Sequence, residues 1–131
     1  MKLLFILLFG LTLSFAQKST KITTLETVEI LNENRDEAIF YYENNWKHLR
    51  VKAIQQNFIH SFQILETTYS DETPFHLVLM TTYYDAEQYK NREEHFAELI
   101  NQMGSLKLLN TKKPSEFRRS VFAFDGAKHL N

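Results

Sequence analysis

The sequence predicts one α+β domain whose elements follow the order β-α-β-β-α-β. Three observations predict it. Apolar residues repeat every two positions in four stretches and every three to four positions in two others, in that order. At 131 residues the chain accommodates one domain comfortably and two poorly. Turn and cap signals fall at the joins between the periods.

The chain opens as a secretory signal peptide, residues 1–16. Met1-Lys2 supplies a positive start, residues 3–13 are apolar apart from Gly10 and Thr12, and Ser14 and Ala16 place small residues before a cleavage point at Gln17. The rival reading is a membrane anchor, but the run is well short of the ~20 residues that span a bilayer. The expectation is export to the periplasm or the extracellular space, with no stable membrane span after cleavage. Residues 17–25 read as a flexible polar lead, 26–125 as the folded domain and 126–131 as a loose tail.

Within the domain, 27–31 alternates as a half-buried strand, with Val28 and Ile30 on one side. Asn34, followed three positions later by Glu37, reads as a helix N-cap with a capping-box partner. From 35 to 56 the period becomes helical. Ala38, Tyr41, Tyr42, Asn45, Trp46, Leu49 and Ala53 share one face, while Glu37, Glu43, Asn44, Lys47, Arg50 and Gln55 fall toward solvent. Residues 59–68 turn extended, with Phe62 and Ile64 on one parity and Leu65 on the other. The cluster 70–74 makes a polar turn. The third strand covers 75–84. Asp85 with Gln88 caps a second helix, whose stripe is Tyr89, Phe96, Leu99, Ile100 and Met103, and Gly104 marks its end. A connector follows over 105–115, in which Leu106, Leu108 and Leu109 can reach the core, and a last strand over 119–124 carries Phe122 and Phe124 on one parity. The order is that of the split βαβ, or ferredoxin-like, arrangement: a four-stranded antiparallel sheet, both helices on one face, first and third strands central.

Composition excludes several classes. With 15 basic and 16 acidic residues dispersed along the chain, there is no basic stripe for nucleic acid. Cysteine is absent, so an exported domain must be held by its core without disulfides. The mature part holds only Gly104 and Gly126, which excludes a glycine-rich phosphate loop.

The third strand is apolar on both parities: Phe75, Leu77 and Leu79 on one, Val78 and Met80 on the other. A sheet covered by helices on one side only should alternate cleanly. Leaving such side chains wet forgoes roughly 1.5–3 kcal/mol each. These five residues are therefore candidates for a dimer face, sheet packed on sheet in a homodimer. The alternative cover is the 105–115 connector folded over the second face.

The strand at 27–31, the acidic-capped helix NRDEAIFYYENNWKHLRVKA and the extended FIHSFQILE together resemble the first half of a dimeric α+β barrel protein. Over 26–124 the chain is similar, in order and spacing, to NIPSNAP-like and antibiotic-biosynthesis-monooxygenase-like domains. The resemblance implies two-fold dimers with a pocket between helices and sheet in each subunit. It spans monooxygenases, haem-handling enzymes, isomerases and non-catalytic binding domains, and fold does not choose among them.

Pocket candidates are Tyr41, Tyr42 and Trp46 on the first helix, Tyr83 at the end of the third strand, and His60 and His76 beside the hairpin. The aromatic face suits a flat apolar ligand and equally suits plain core packing. No two histidines stand four apart, so no helical metal pair exists. His76 should lie opposite Thr67, which leaves His60 roughly 23 Å away along the hairpin, too far to share an ion. His76 is the single candidate for an acid, a base or a haem ligand, beside its reading as a hydrogen-bonded structural histidine. The expected function is binding of a small apolar or aromatic molecule, or service as an assembly module, with no cofactor. The alternative is a monooxygenase-like or haem-handling enzyme using the same pocket.

Overall fold

The computed structural model describes residues 18–131, so the expected signal peptide at 1–16 lies outside the described residues. The sheet has four antiparallel strands: β1 (Ile22–Ile30), β2 (Ser61–Glu66), β3 (Leu77–Tyr83) and β4 (Arg118–Lys128). They stand in the order β2-β3-β1-β4, so the first and third strands are central as the split βαβ requires. The first helical segment runs as α1 (Arg35–Tyr41), a π-helical turn (Tyr42–Trp46) and α2 (Lys47–Gln55). The second comprises α3 (Ala86–Lys90) and α4 (Arg92–Met103), and a short α5 (Pro114–Phe117) precedes β4. Among the described residues no helix is long and apolar enough to cross a membrane.

Strand parity assigns every sheet side chain to one of two faces, because residues directly opposite each other point the same way. Val28 pairs with Leu77 and Glu26 with Leu79; Ile64 in turn pairs with Leu79. These rows lie under the helices. Leu77 and Leu79 are essentially inaccessible and pack with Val28, Ile30, Ala38, Tyr42 and Phe117 in one core cluster. A second cluster gathers Leu49, Ala53, Ile59, Tyr83 and Leu99 under α2 and α4.

The opposite face carries two long rows: Leu65, Val78, Thr27 and Phe122; then Gln63, Met80, Leu25 and Phe124. Among the described residues nothing covers it, and Leu65, Phe122 and Phe124 are 46%, 55% and 50% exposed. Leu77 and Leu79, expected as dimer-face candidates, are therefore corrected to core residues of the helix side. Phe75 precedes β3 in the hairpin loop, where its N–H donates to Thr73 O. Val78 and Met80 do lie on the open face.

The connector does not fold over that face. It runs along the first helix, where Asn45 exchanges hydrogen bonds with both backbone groups of Lys107 (2.8 Å each) and Lys112 Nζ donates to Glu37 (3.0 Å). Leu108 packs against the core, while Leu106 and Leu109 stay about half exposed. Phe117 closes the connector as a fully buried side chain, its ring 5.7 Å from that of Tyr41.

Several boundaries differ from the expected ones for identifiable reasons. The lead is not flexible throughout, since Ile22–Leu25 belongs to β1 and pairs with both β3 and β4. The tail is not loose from 126: β4 continues to Lys128 through Gly126, whose φ of +79° suits a residue without Cβ, and His129 Nε2 sits 2.7 Å from Thr23 Oγ1. Asn34 does not cap α1. Its side-chain oxygen accepts from Lys112 Nζ (2.6 Å) and its amide donates to Glu116 O (3.2 Å), while Glu37 turns to Lys112. Asp85 does cap α3, accepting from Gln88 N–H at 2.9 Å, and Gln88 Oε1 accepts from Tyr84 N–H. Ile100, expected on the buried stripe, is 51% exposed.

Truncating Phe117 to Ala tests whether the connector is part of the core. The lost burial and the cavity left behind should cost about 3–5 kcal/mol in urea unfolding. A midpoint unchanged from that of the parent protein would show that α5 contributes nothing to folding.

Candidate functional site

The face under the helices is not apolar throughout. Toward the β1–β4 side its floor turns polar: Thr24 and Glu26 from β1, Thr81 from β3 and Asp125 from β4. Trp46 and Arg50 of the first helix stand over this floor, with Leu79 beneath them, and border a half-open cavity of about 130 Å³. The π-helical turn lies immediately before the site. It inserts one extra residue per turn and is stabilised by Asn45, whose amide donates to Tyr41 O at 2.9 Å as well as to Lys107 O.

Arg50 is the unexpected member. Its guanidinium is stacked between two rings, 4.0 Å from the Trp46 centroid and 4.4 Å from that of Phe96. Its hydrogen bond is from Nε to Thr81 Oγ1 at 3.3 Å. Burial pulls its pKa down to about 10, with nearby Glu26 acting in the opposite sense. It therefore stays a cation at neutral pH. On the helical wheel Arg50 had fallen on the solvent side. Its spacing of four from Trp46 and three from Ala53 was the signal that it belongs to the inward stripe.

A second polar group borders the cavity. Arg118 donates from Nε to Tyr42 Oη at 2.5 Å and from Nη2 to Glu26 Oε1 at 3.3 Å. Arg119 pairs with Glu29, and Lys112 with Glu37, so both are engaged with carboxylates of their own subunit.

The residues expected to line one pocket are separated by the structure. Trp46 lines the cavity directly. Tyr42 is buried behind it and reaches it through Arg118 and Glu26. Tyr41 packs edge-on against Tyr42 and turns toward Phe117. Tyr83 is buried in the other core cluster against Tyr89. His60 is exposed on the far side of the sheet with Gln63, Met80 and Thr82.

His76 sits at the opposite end of the sheet from the cavity. Its backbone pairs with Thr67 and Val28, its Nδ1 accepts from Ile30 N–H at 2.9 Å, and its ring stacks on Tyr69. Because Nδ1 accepts, the ring proton of the neutral form sits on Nε2. The side chain thus satisfies a strand N–H that would otherwise lack a partner.

Two of the six tyrosines carry pKa values raised by burial, Tyr42 and Tyr83. A phenol with a raised folded pKa contributes stability that is present below the ordinary value near 10 and lost as pH climbs toward the folded value. An absorbance titration at 295 nm should therefore show Tyr42 and Tyr83 ionising later than an exposed phenol, with stability to urea falling above pH 10. A single transition in which all the phenols ionise together, with the fold intact, would contradict the burial assigned to these two.

No family model matches the chain, and no curated protein matches it. Among solved structures, HapK from Hahella chejuensis aligns with a TM-score of 0.50 and 13% identity, over 83% of this chain and 92% of its own. A Nitrosomonas europaea protein described as a candidate antibiotic biosynthesis monooxygenase aligns with a TM-score of 0.44 and 15% identity, over 86% and 95%. At these identities the likeness is one of architecture, and this chain shares with HapK the ferredoxin-like α+β fold.

Proposed function

We propose that the protein is an exported binding module that pairs sheet to sheet as a homodimer and holds a small aromatic molecule in each subunit, between the first helix and the sheet. The observation that carries the ligand part is the cavity itself. It is walled by Trp46 and floored by Leu79 and Thr81. Its volume of about 130 Å³ is close to that of a cavity that admits benzene, roughly 150 Å³. Its lining is mixed, with Trp46, Leu79 and Ala123 beside Thr24, Thr81, Glu26, Arg50 and Asp125, so an aromatic ligand that also carries a polar group suits it better than a purely apolar one.

The dimer part is supported by the uncovered face. Four strands spaced ~4.8 Å apart make a surface on the order of 400 Å² in projection, near the limit of what a monomer leaves open as one apolar patch. Its long rows hold Leu25, Leu65, Val78, Met80, Phe122 and Phe124 with Thr27 and Gln63, and no charged side chain stands among them. A second copy turned about a two-fold axis presents the same neutral rows, while the charges at the end of the face, Glu29 and Arg119, pair with each other within the subunit.

The enzyme reading draws on the monooxygenase description of the Nitrosomonas europaea protein, and this chain's residues give it little. An acid–base role for His76 needs the ring beside Trp46, whereas it accepts from Ile30 at the other end of the sheet. The cavity's volume lies well below the roughly 300–1,000 Å³ of pockets for larger ligands, which favours a small ligand over haem.

Sedimentation of the parent protein should give twice the subunit mass, and the double variant Phe122→Asp, Phe124→Asp should give the subunit mass with its circular dichroism retained. A parent protein that stays monomeric at millimolar concentration would end the dimer reading.

A further inference from the structure

We propose that the cavity beside Trp46 selects single-ring aromatic carboxylates, with Arg50 receiving the carboxylate. This deepens the binding-module reading and rests on it.

Arg50 carries five N–H donors and gives one to Thr81. Among the described residues it takes part in no ion pair. Its exposure is intermediate and none of its donors is a buried atom without a partner, so the free donors stand at the open side of the cavity. The rings of Trp46 and Phe96 lie 4.0 and 4.4 Å from the guanidinium carbon and hold it in place. A carboxylate engages arginine edge-on with two parallel hydrogen bonds, through the donors that Thr81 leaves free.

The carboxylates already present do not fill this role. Glu26 is held by Arg118 at 3.3 Å, and Asp125 stands on the exposed outer strand at the rim of the cavity. Tyr42 Oη is likewise occupied, accepting from Arg118. The one cation in the pocket without a carboxylate therefore sits next to its one large aromatic wall. An acid group on Arg50 places the remainder of the ligand against Trp46 and Leu79. The small volume limits that remainder to about one six-membered ring.

Trp46 is the only tryptophan of the chain and touches both Arg50 and the cavity, so its fluorescence reports occupancy. The probes are benzoate, its neutral isostere benzamide and inorganic phosphate, at fixed ionic strength. Benzoate should bind the parent protein at least tenfold more tightly than benzamide, and phosphate should displace neither. Arg50→Gln should bring the two aromatic affinities within about twofold of each other. Asp125→Asn should strengthen benzoate about two- to threefold, the effect of removing one screened rim charge.

Equal affinity for benzoate and benzamide in the parent protein would overturn the assignment of Arg50 while leaving the aromatic pocket standing. Displacement of benzoate by phosphate would overturn the aromatic specificity. Failure of both aromatic probes would remove the pocket reading and this inference together. Should Arg50→Gln not fold, the benzoate-to-benzamide ratio of the parent protein decides alone.

Discussion

The register between β1 and β3 governs the rest of the molecule. These are the two central strands, each paired on both edges, and opposing Val28 to Leu77 and Glu26 to Leu79 sets the parity of the whole sheet. A slip of one residue would exchange the faces of a strand. Leu77 and Leu79 would then leave the core, and Val78 and Met80 would meet the helices. Because both parities of β3 are apolar, hydrophobicity of that strand alone discriminates weakly between the two registers. The decision falls to β1, where Val28 and Ile30 must be covered, and to the hairpin, where Thr67 N–H donates to His76 O and its hydroxyl to Phe75 O. His76 reinforces the choice by accepting from Ile30 N–H through its ring. This is a positional role, and it accounts for a histidine beside an apolar strand without any chemistry.

With the parity set, the helix side must accommodate Glu26 and Thr24 as well as Leu79. Burying a carboxylate is unfavourable unless it is paired, and Arg118 at the start of β4 supplies the pair while also donating to Tyr42. That group is closed: each charged member has a partner inside the subunit. Arg50 is arranged differently. It is walled by rings and bound to one hydroxyl, so its remaining donors face space that the chain leaves unfilled. Core packing on its own would favour an aliphatic residue at this position. A partly buried cation without a carboxylate partner next to a cavity breaks the local rule, and such breaks concentrate where a protein binds something.

Much of the framework was legible in the sequence because it rests on period and caps. The alternation of Val28 and Ile30 in β1, the inward stripe from Ala38 to Ala53, the cap at Asp85 and the stop at Gly104 are local signals, and the structure bears each of them out. The illegible parts are those decided by distant residues. Ile22–Leu25 is half threonine and reads as a polar lead, yet threonine is a good strand former once β3 and β4 flank it. Asp125-Gly126 reads as a turn, but the strand passes through it because β1 extends far enough to pair. Asn34 has a capping residue's identity and is diverted to Lys112 and Glu116, which lie over seventy positions away. The π-helical turn leaves no mark in the hydrophobic period. Arg50 was misplaced because a wheel assigns charge to solvent, although two neighbours at helical spacing argued otherwise.

The two surfaces that matter are built from the same strands, and parity keeps them separate. Along β1, Thr24 and Glu26 face the cavity while Leu25 and Thr27 face the open side; along β3, Leu79 and Thr81 face the cavity while Val78 and Met80 do not. A side chain replaced on one face does not touch the other, so pairing of subunits and occupancy of the cavity can be perturbed one at a time. What they share is the backbone. The pairing of β1 with β4 shifts register between Thr23 and Leu25 and again between Thr27 and Val28, on either side of Glu26. Such irregularities bend a strand and re-aim its side chains. Here the extra residues lie in β4, on either side of the stretch opposite Glu26, so the bend belongs to the strand that carries both Arg118 and Asp125.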